Sequence, residues 1–231
     1  MVLKSLLIII AAFNEEEGIK HTLSEIAETL DNPMCLVIDG NSTDRTVQTA
    51  RKMGAEIIIQ DGIGKGNAIS QALAHVDNNP QYVAFIDGDF TYPAGYISEM
   101  VKILDEKPKV GMVLGNRINH MLRTNAMKSP FHLGNRILAL AQYIFNGVNL
   151  IDPLSGLRVV RWSIIKDWAP KAEGFDIEAE MNFHIEKKGY LIEELLIVYR
   201  KRLGPKKLGL KDGLPILRRI LIDGIRSSFS T

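Results

Sequence analysis

The first half of the chain contains apolar runs of strand length in which apolar and polar residues hardly alternate. Such runs are typical of strands in a sheet that is covered on both faces. Helix-like stretches separate them, and this order predicts right-handed crossovers and an α/β fold with a mostly parallel central sheet. The runs are Leu3–Ile10, Met34–Ile38, Ala55–Ile59, Tyr82–Ile86 and Val110–Leu114, and the helical stretches are Glu15–Leu30, Thr43–Lys52, Lys65–Val76 and Pro93–Glu106.

The second half of the chain is less regular. A polar stretch at Arg117–Pro130 predicts a long loop, and a turn at Asp152–Gly156 leads into a short apolar run. The remaining predicted elements are helices at Phe131–Phe145, Ile177–Lys187 and Leu214–Phe229, and strands at Leu157–Val160 and Tyr190–Val198.

Length and charge exclude several classes of protein. The 231 residues, 46% hydrophobic and 24% charged, suit one globular domain with a large core and exclude a disordered chain. The net charge of +1 gives no sign of a nucleic-acid partner. The segment Arg200–Arg219 is nevertheless strongly basic. The amphipathic helix that follows could therefore pack on the core or lie at a membrane surface, and the sequence favours neither.

The single cysteine and the first apolar run bear on the compartment. Cys35 cannot form a disulfide within the chain, which suits a reducing environment. The run that begins at Leu6 is too short to span a bilayer and lacks the cleavage site of a signal peptide. We therefore expect a cytoplasmic protein without a transmembrane segment of its own.

Polar or acidic residues follow four successive predicted strands. In open α/β sheets, ligands bind in the crevice outside the carboxyl ends of the strands. We therefore expect these strand ends to form one site. They are Phe13–Glu15, Asp39–Asn41, Asp61–Gly62 and Asp87–Asp89.

Asp87 and Asp89 are the strongest candidates for metal ligands. Two carboxylates at this spacing after an apolar strand can turn toward one hard cation, and Mg²⁺ or Mn²⁺ prefers such oxygen ligands together with phosphate. The alternative is a solvated turn in which an Asp caps the helix that opens near Pro93.

Two further strand ends suggest contacts to a nucleotide. Asn41, Ser42 or Thr43 is expected to cap the next helix, which leaves the Asp39 carboxylate for a base or a ribose hydroxyl. The glycine-rich segment Gly62–Asn67 fits neither an ATPase phosphate loop nor the dinucleotide fingerprint. It could still carry Lys65 into the site.

Other catalytic chemistries lack their motifs. The five histidines show no zinc-site spacing, and no serine lies in a nucleophile-elbow pattern.

Short segments with functional residue types follow one another in a fixed order along the chain: Ala12–Glu16, Val37–Asp44, Gly64–Gly66, Ile86–Asp89, Gly115–Arg117, Asp152–Arg158, Gly174–Asp176, Tyr199–Arg202 and Lys207–Leu208. This ordered set resembles the family 2 glycosyltransferases of GT-A fold, and within them the dolichol- and polyprenyl-phosphate mannose or glucose synthases. Three features depart from that resemblance: Ala11 stands where the family often has Pro, Thr91 stands where mannose synthases commonly carry Gln, and we expect none of the transmembrane helices that many relatives add.

This resemblance implies residue roles that spacing alone does not give. Residues 1–213 would form the catalytic domain, with a nucleotide-sugar half at 1–115 and an acceptor half at 116–213, followed by a separate helix at 214–231. The donor nucleotide, UDP or GDP, would contact Ala12, Asn14, Glu15, Asp39, Lys65 and Asp87. The metal, Mg²⁺ or Mn²⁺, would be held by Asp87 and Asp89. The acceptor phosphate would be bound by Arg117, Arg136 and Arg202, and the catalytic group would comprise Asp89, Asp152, Arg117 and Arg202.

The expected reaction is an inverting transfer of a hexose or N-acetylhexosamine to a polyprenyl phosphate, in protein glycosylation at the cytoplasmic face of a membrane. A phosphate acceptor is largely a dianion at neutral pH, since its second pKa is about 6. It therefore needs positioning by arginine more than a general base. A hydroxyl acceptor would need a base, for which Asp152 and Glu178 are candidates.

Three other functions remain to be compared with this expectation. The nearest is a soluble glycosyltransferase that acts on a small phosphorylated or hydroxyl acceptor, since the same nucleotide site would serve it. A sugar-1-phosphate nucleotidyltransferase should carry a glycine-rich loop after the first strand, where this chain has Ala12–Glu15. A binding module without catalysis would not need both Asp87 and Asp89.

Overall fold

The computed structural model describes residues 5–118, 130–207 and 209–228. The strands are β1 Leu6–Ala12, β2 Met34–Asp39, β3 Glu56–Ile59, β4 Tyr82–Asp87, β5 Val110–Asn116, β6 Arg158–Arg161 and β7 Leu191–Leu196. The α-helices are α1 Glu16–Thr29, α2 Thr46–Lys52, α3 Lys65–His75, α4 Tyr96–Glu106, α5 Pro130–Asn146, α6 Trp162–Ile165, α7 Ile177–Lys187 and α8 Gly213–Ser228, and a 3₁₀ turn spans Leu210–Asp212.

The strands form one sheet in the order β3-β2-β1-β4-β6-β5-β7. All neighbouring pairs are parallel except those of β6, which runs antiparallel to both β4 and β5. This confirms the predicted α/β fold with a mostly parallel sheet. The antiparallel insertion of β6 also joins the two halves of the chain into a single sheet.

The central strands are apolar on both faces because helices cover both sides of the sheet. Along β1, Ile8 and Ile10 pack into one core cluster, and Leu7 and Ile9 pack into the other. Successive side chains of a strand point to opposite faces, so a strand buried on both sides reads as an unbroken apolar run.

A third, smaller cluster lies away from the sheet and involves α5, α7 and α8. Ile216 and Ile220 of α8 are buried there against Leu138 and Ala141 of α5 and Ala179 of α7. The sequence left open whether this helix packs on the core or lies at a membrane surface. Ile216 and Ile220, two of its main apolar residues, pack on the core.

The predicted elements agree with the structure in type and to within a few residues at their ends. The loop predicted at Arg117–Pro130 falls mostly on residues 119–129, which lie outside the described residues. Across the described ranges, no helix has both the length and the apolar character that crossing a membrane requires.

Candidate functional site

The ends of three neighbouring parallel strands bring the predicted acidic residues to one edge of the sheet. In the register of the sheet, Ala11 pairs with Asp87, and Ala12 pairs with Asp39. Gly18 lets the first helix pass close to the turn after β4, because a Cβ atom at Gly18 would lie 2.5 Å from the Gly88 carbonyl oxygen. The β1, β2 and β4 ends therefore lie together, as the strand-end pattern predicted. The fourth predicted end, Asp61–Gly62, is not part of this group: Asp61 is exposed, and its backbone forms hydrogen bonds with Asn67 and Gln71.

Asp87 is bound by the lysine of the glycine-rich segment. The Lys65 Nζ lies 2.6 Å from Asp87 Oδ1 and 2.7 Å from Glu178 Oε1, so it bridges β4 and α7. Burial acts to raise the pKa of Asp87, but Lys65, with Arg117 and Arg202, holds it below its usual range. Burial likewise disfavours the charged Lys65, yet its two carboxylate partners raise its pKa above the usual range. Asp87 and Lys65 are therefore both charged.

The glycines beside Lys65 are explained by close backbone packing. A Cβ atom at Gly64 would lie 2.2 Å from the Glu173 carbonyl oxygen, and one at Gly66 would lie 2.2 Å from that of Ala172. Gly64 also has φ of 101°, a conformation that favours glycine. The segment is thus fixed against residues before α7, and Lys65 is directed to Asp87.

Asp89 is buried and bound on both carboxylate oxygens. Its Oδ1 accepts hydrogen bonds from the Thr91 backbone N–H and hydroxyl, and its Oδ2 forms an ion pair with Arg202. Burial, and next the charge of Asp87, raises the pKa of Asp89 above its usual range. A second cation close to Asp89 would therefore relieve an electrostatic cost.

Arg202 also forms an ion pair with Glu15, which directly precedes α1. Burial raises the pKa of Glu15 to about 7, although Arg202 and Lys207 act in the opposite direction. The other Glu15 oxygen, Oε2, is buried without a hydrogen-bond partner among the described residues. Lys207 completes this cluster by donating to the Asn14 carbonyl oxygen at 3.1 Å.

The Asp39 carboxylate is fully buried and holds its own loop. Ser42 donates to it from both its backbone N–H (2.7 Å) and its hydroxyl (2.5 Å). The expected cap of α2 by Asn41, Ser42 or Thr43 is wrong, because α2 begins at Thr46 and the Thr46 N–H donates to Asp44. Ser42 and Thr43 instead donate hydrogen bonds that join this loop to Asp39 and Asn14.

The loop Asp152–Gly156 approaches Asp87 from the second half of the chain. A Cβ atom at Gly156 would lie 2.3 Å from Asp87 Oδ2, so only glycine fits there without a shift. The Gly156 N–H donates to the buried Tyr92 hydroxyl at 2.7 Å, and Arg117 donates to the same hydroxyl at 3.0 Å. Tyr92 therefore holds both the loop and the arginine beside the paired aspartates.

Arg117 and Asp152 form a buried bidentate ion pair. The Arg117 Nε and Nη2 atoms each lie 2.7 Å from an Asp152 oxygen. Burial acts to raise the pKa of Asp152, but Arg117 holds it below its usual range. The Arg117 guanidinium also lies 5.3 Å from the Tyr199 ring centroid, a cation–π distance.

Two residues that the sequence did not single out hold this loop. Arg158 in β6 is 1% exposed and donates to the carbonyl oxygens of Pro153, Ser155 and Glu178. Glu194 in β7 accepts from the backbone N–H groups of Ile151 and Asp152, each at 2.8 Å. The sequence offered one signal for Arg158: it lies inside the short apolar run Leu157–Val160, and a charged side chain that is buried there must find hydrogen-bonding partners.

Arg136 is not part of this cluster. It is exposed on α5 and forms no ion pair with any described residue. Its role in acceptor binding stays a prediction.

The donor set fits a divalent cation that a substrate helps to hold. Within the described residues no group of three or more His, Cys, Asp or Glu side chains could hold a metal alone. Asp87 and Asp89 supply hard carboxylate oxygens, and Mg²⁺ typically takes one or two carboxylates with substrate phosphates and water. The arrangement therefore fits a cation bound together with a phosphorylated ligand.

Comparison with known proteins gives the family. Residues 7–167 match the family described as glycosyl transferase family 2. The glycosyltransferase AglJ of Haloferax volcanii is 36% identical over 183 residues, which cover 79% of this chain and 58% of that protein. The dolichyl-phosphate hexose transferase of the same organism is 31% identical over 205 residues, which cover 88% of this chain and 86% of that protein.

A solved structure has the same fold. Glucosyl-3-phosphoglycerate synthase from Mycobacterium tuberculosis, in complex with Mn²⁺, UDP-glucose and phosphoglyceric acid, aligns with a TM-score of 0.76 at 19% identity. The alignment covers 96% of this chain and 80% of that one. With its GT-A fold and its match to the family model over residues 7–167, the chain belongs to glycosyl transferase family 2 and resembles the dolichyl-phosphate sugar transferases.

Proposed function

We propose that this enzyme transfers a hexose or N-acetylhexosamine from a UDP- or GDP-sugar to a polyprenyl phosphate, with inversion and with a divalent cation. The observation that carries the proposal is the convergence of the Asp87–Asp89 pair with Arg117 and Arg202 at one edge of the sheet. Carboxylates can hold a cation on the donor diphosphate, and arginines beside them can hold a second phosphate.

On the donor side, Asp87 and Asp89 would hold Mg²⁺ or Mn²⁺, which supplies Lewis-acid stabilisation of the nucleoside diphosphate as it leaves. Ala12, Asn14, Glu15 and Asp39 would contact the nucleoside. Because Ser42 donates hydrogen bonds to both Asp39 oxygens, Asp39 can also contribute indirectly, by fixing the loop that contacts the nucleoside. Lys65 orients Asp87 through its ion pair.

On the acceptor side, Arg117 and Arg202 would bind the phosphate and orient one of its oxygens toward the sugar. A phosphate dianion is already nucleophilic and needs no proton removed. Such an acceptor is supported over a hydroxyl, because Arg117 holds the pKa of the candidate base Asp152 below its usual range, and the other candidate base, Glu178, forms an ion pair with Lys65. The dolichyl-phosphate hexose transferase among the relatives also supports a lipid phosphate.

The site of action would be the cytoplasmic face of a membrane, where a polyprenyl phosphate presents its head group. The product would serve glycan assembly, including protein glycosylation. Each of these points depends on the identity of the acceptor.

A donor and acceptor screen tests the proposal. Purified protein is mixed with radiolabelled UDP- or GDP-sugars, Mg²⁺ or Mn²⁺, and a polyprenyl phosphate in detergent, and label in the organic phase is counted. We expect transfer that falls about 100-fold or more in Asp89→Asn, since a Lewis-acid metal contributes several kcal/mol.

Asp61→Asn is the matched control, because Asp61 also follows a strand but is exposed and lies outside the cluster. It should keep wild-type transfer. Donor hydrolysis without a lipid product would contradict the lipid acceptor and favour a water-soluble one. Transfer that is unchanged in Asp89→Asn would contradict the metal role.

A further inference from the structure

The helix α5 exposes an apolar stripe on the side that faces away from the protein. Leu133, Ile137, Leu140 and Ile144 are 64%, 54%, 58% and 62% exposed. At about 100° per residue, the four side chains fall within an arc of about 60°. An ordinary surface helix would bury such a stripe and expose its polar side.

The opposite side of α5 is buried although it is partly polar. Gln142 donates to the Ala179 carbonyl oxygen at 2.7 Å, and Asn146 donates to that of Ile220 at 3.0 Å. These hydrogen bonds, with the third core cluster, fix α5 against α7 and α8. The helix therefore cannot roll its apolar stripe inward without leaving buried polar groups unpaired.

The charge of this part of the chain identifies what would cover the stripe. From residue 118 to residue 151 the sequence contains three Lys or Arg residues, two of which lie outside the described residues, and no Asp or Glu. Arg136, on α5, is exposed next to the stripe. Exposed apolar residues combined with basic and without acidic residues are typical of a surface that lies on anionic lipid.

The stripe is connected to the acceptor end of the candidate site. Asn135, between Leu133 and Ile137, donates to the Ile151 carbonyl oxygen at 3.4 Å. Ile151 is itself 59% exposed and directly precedes Asp152, the partner of Arg117. A membrane that contacts the stripe would thus lie a few residues from the arginine proposed to hold the acceptor phosphate.

We propose that the α5 stripe of Leu133, Ile137, Leu140 and Ile144 docks the enzyme on a bilayer that contains anionic phospholipid. The inference deepens the proposed function and rests on it, since a polyprenyl phosphate is reached only at a bilayer. Docking through α5 leaves α8 as the structural helix that supports it from behind.

Co-sedimentation with vesicles tests this proposal without any need for catalysis. The protein is mixed with vesicles of phosphatidylcholine alone or with phosphatidylglycerol, and the bound fraction is measured. We expect binding to the anionic vesicles, falling on the order of tenfold or more in Ile137→Ser/Leu140→Ser, because each buried CH₂ contributes about fourfold to partitioning. Weaker binding to neutral vesicles is expected.

Met53→Ser/Leu191→Ser is the matched control, because it also removes two exposed apolar side chains but lies outside α5. It should bind as the wild type does. Equal losses in both double variants, or no sedimentation of the wild type, would overturn the proposal. A wild-type dimer in size-exclusion chromatography that Ile137→Ser/Leu140→Ser dissociates, without vesicle binding, would overturn it in favour of a second copy.

The outcome also separates this inference from the proposed function. Vesicle binding without transfer to a polyprenyl phosphate would support the docking surface and refute the lipid acceptor. Transfer to the lipid in detergent, without vesicle binding through α5, would support the lipid acceptor and refute the docking surface.

Discussion

At the residue scale, Gly156 sets how closely the second half of the chain can approach the paired aspartates. Its backbone lies against the Asp87 carboxylate, and its N–H is held by the Tyr92 hydroxyl. A side chain of any size at this position must displace either the loop or the carboxylate. The geometry of the candidate metal site therefore depends on a glycine, which has no side chain with which to bind a ligand.

We predict that Gly156→Ala weakens Mn²⁺ and donor binding and lowers transfer on the order of 100-fold, because a misplacement of about 1 Å has that effect in catalytic sites. Titration calorimetry with Mn²⁺ and the donor nucleotide, beside the radiolabel assay, measures both effects. Gly134→Ala is the control, since a Cβ atom there meets nothing within 4 Å. Wild-type metal affinity in Gly156→Ala would show that Asp87 does not depend on this approach.

At the scale of elements, the packing of α5, α7 and α8 places an acidic side chain where it is poorly solvated. Asp223 of α8 is 7% exposed, and burial raises its pKa to about 6, with Glu180 adding to the effect of burial and Arg219 opposing it. The folded protein then binds this proton more tightly than the unfolded chain does. Stability from this group is accordingly lost as the pH rises from about 4 through 6.

We predict that Asp223→Asn increases the free energy of unfolding at pH 8 by up to about 3 kcal/mol, because a shift of about two pKa units corresponds to that energy. The gain should shrink as the pH falls through 6 and be small near 4. Urea unfolding at several pH values measures it. Asp77→Asn, at an exposed position, should show no such trend. A gain that does not change with pH would contradict a charge effect.

At the scale of the whole molecule, β6 and its arginine join the central sheet to the loop Asp152–Gly156 and to α7. β6 inserts between β4 and β5, and the Arg158 side chain leaves the sheet to hold the Asp152–Gly156 loop and α7. Asn182 of α7 accepts from the same guanidinium at 2.6 Å. One buried side chain therefore fixes the relative positions of the sheet, the loop and a helix.

We predict that Arg158→Met destabilises the protein by about 3 kcal/mol, because it leaves several buried carbonyl oxygens unpaired. It should also raise the KM for the acceptor more than the KM for the donor. The loop contains Asp152, whose ion pair positions Arg117, and Arg117 is the arginine proposed to bind the acceptor phosphate. Chemical unfolding and steady-state kinetics measure the two effects. Arg51→Met, at an exposed position of α2, is the control. Unchanged stability would contradict the role of Arg158 as a structural link.

The sequence by itself determined the parallel strands, the helices between them and the acidic strand ends. Local periodicity reports burial on one or both faces, and strand ends of a parallel sheet must meet at one edge. Asp87 and Asp89 could be selected on that basis, Lys65 was selected from the glycine-rich segment Gly62–Asn67, and the ordered motifs pointed to the family.

Only the tertiary structure decided the antiparallel placement of β6, the partners of Arg158 and Glu194, and the orientation of α5. Each depends on contacts between residues far apart in the chain, which local patterns do not encode. The sequence predicted a helix at Phe131–Phe145, but it did not indicate that Leu133, Ile137, Leu140 and Ile144 would face outward. They are exposed because its other side is fixed by Gln142 and Asn146 to the neighbouring helices, and that choice exists only in the folded molecule.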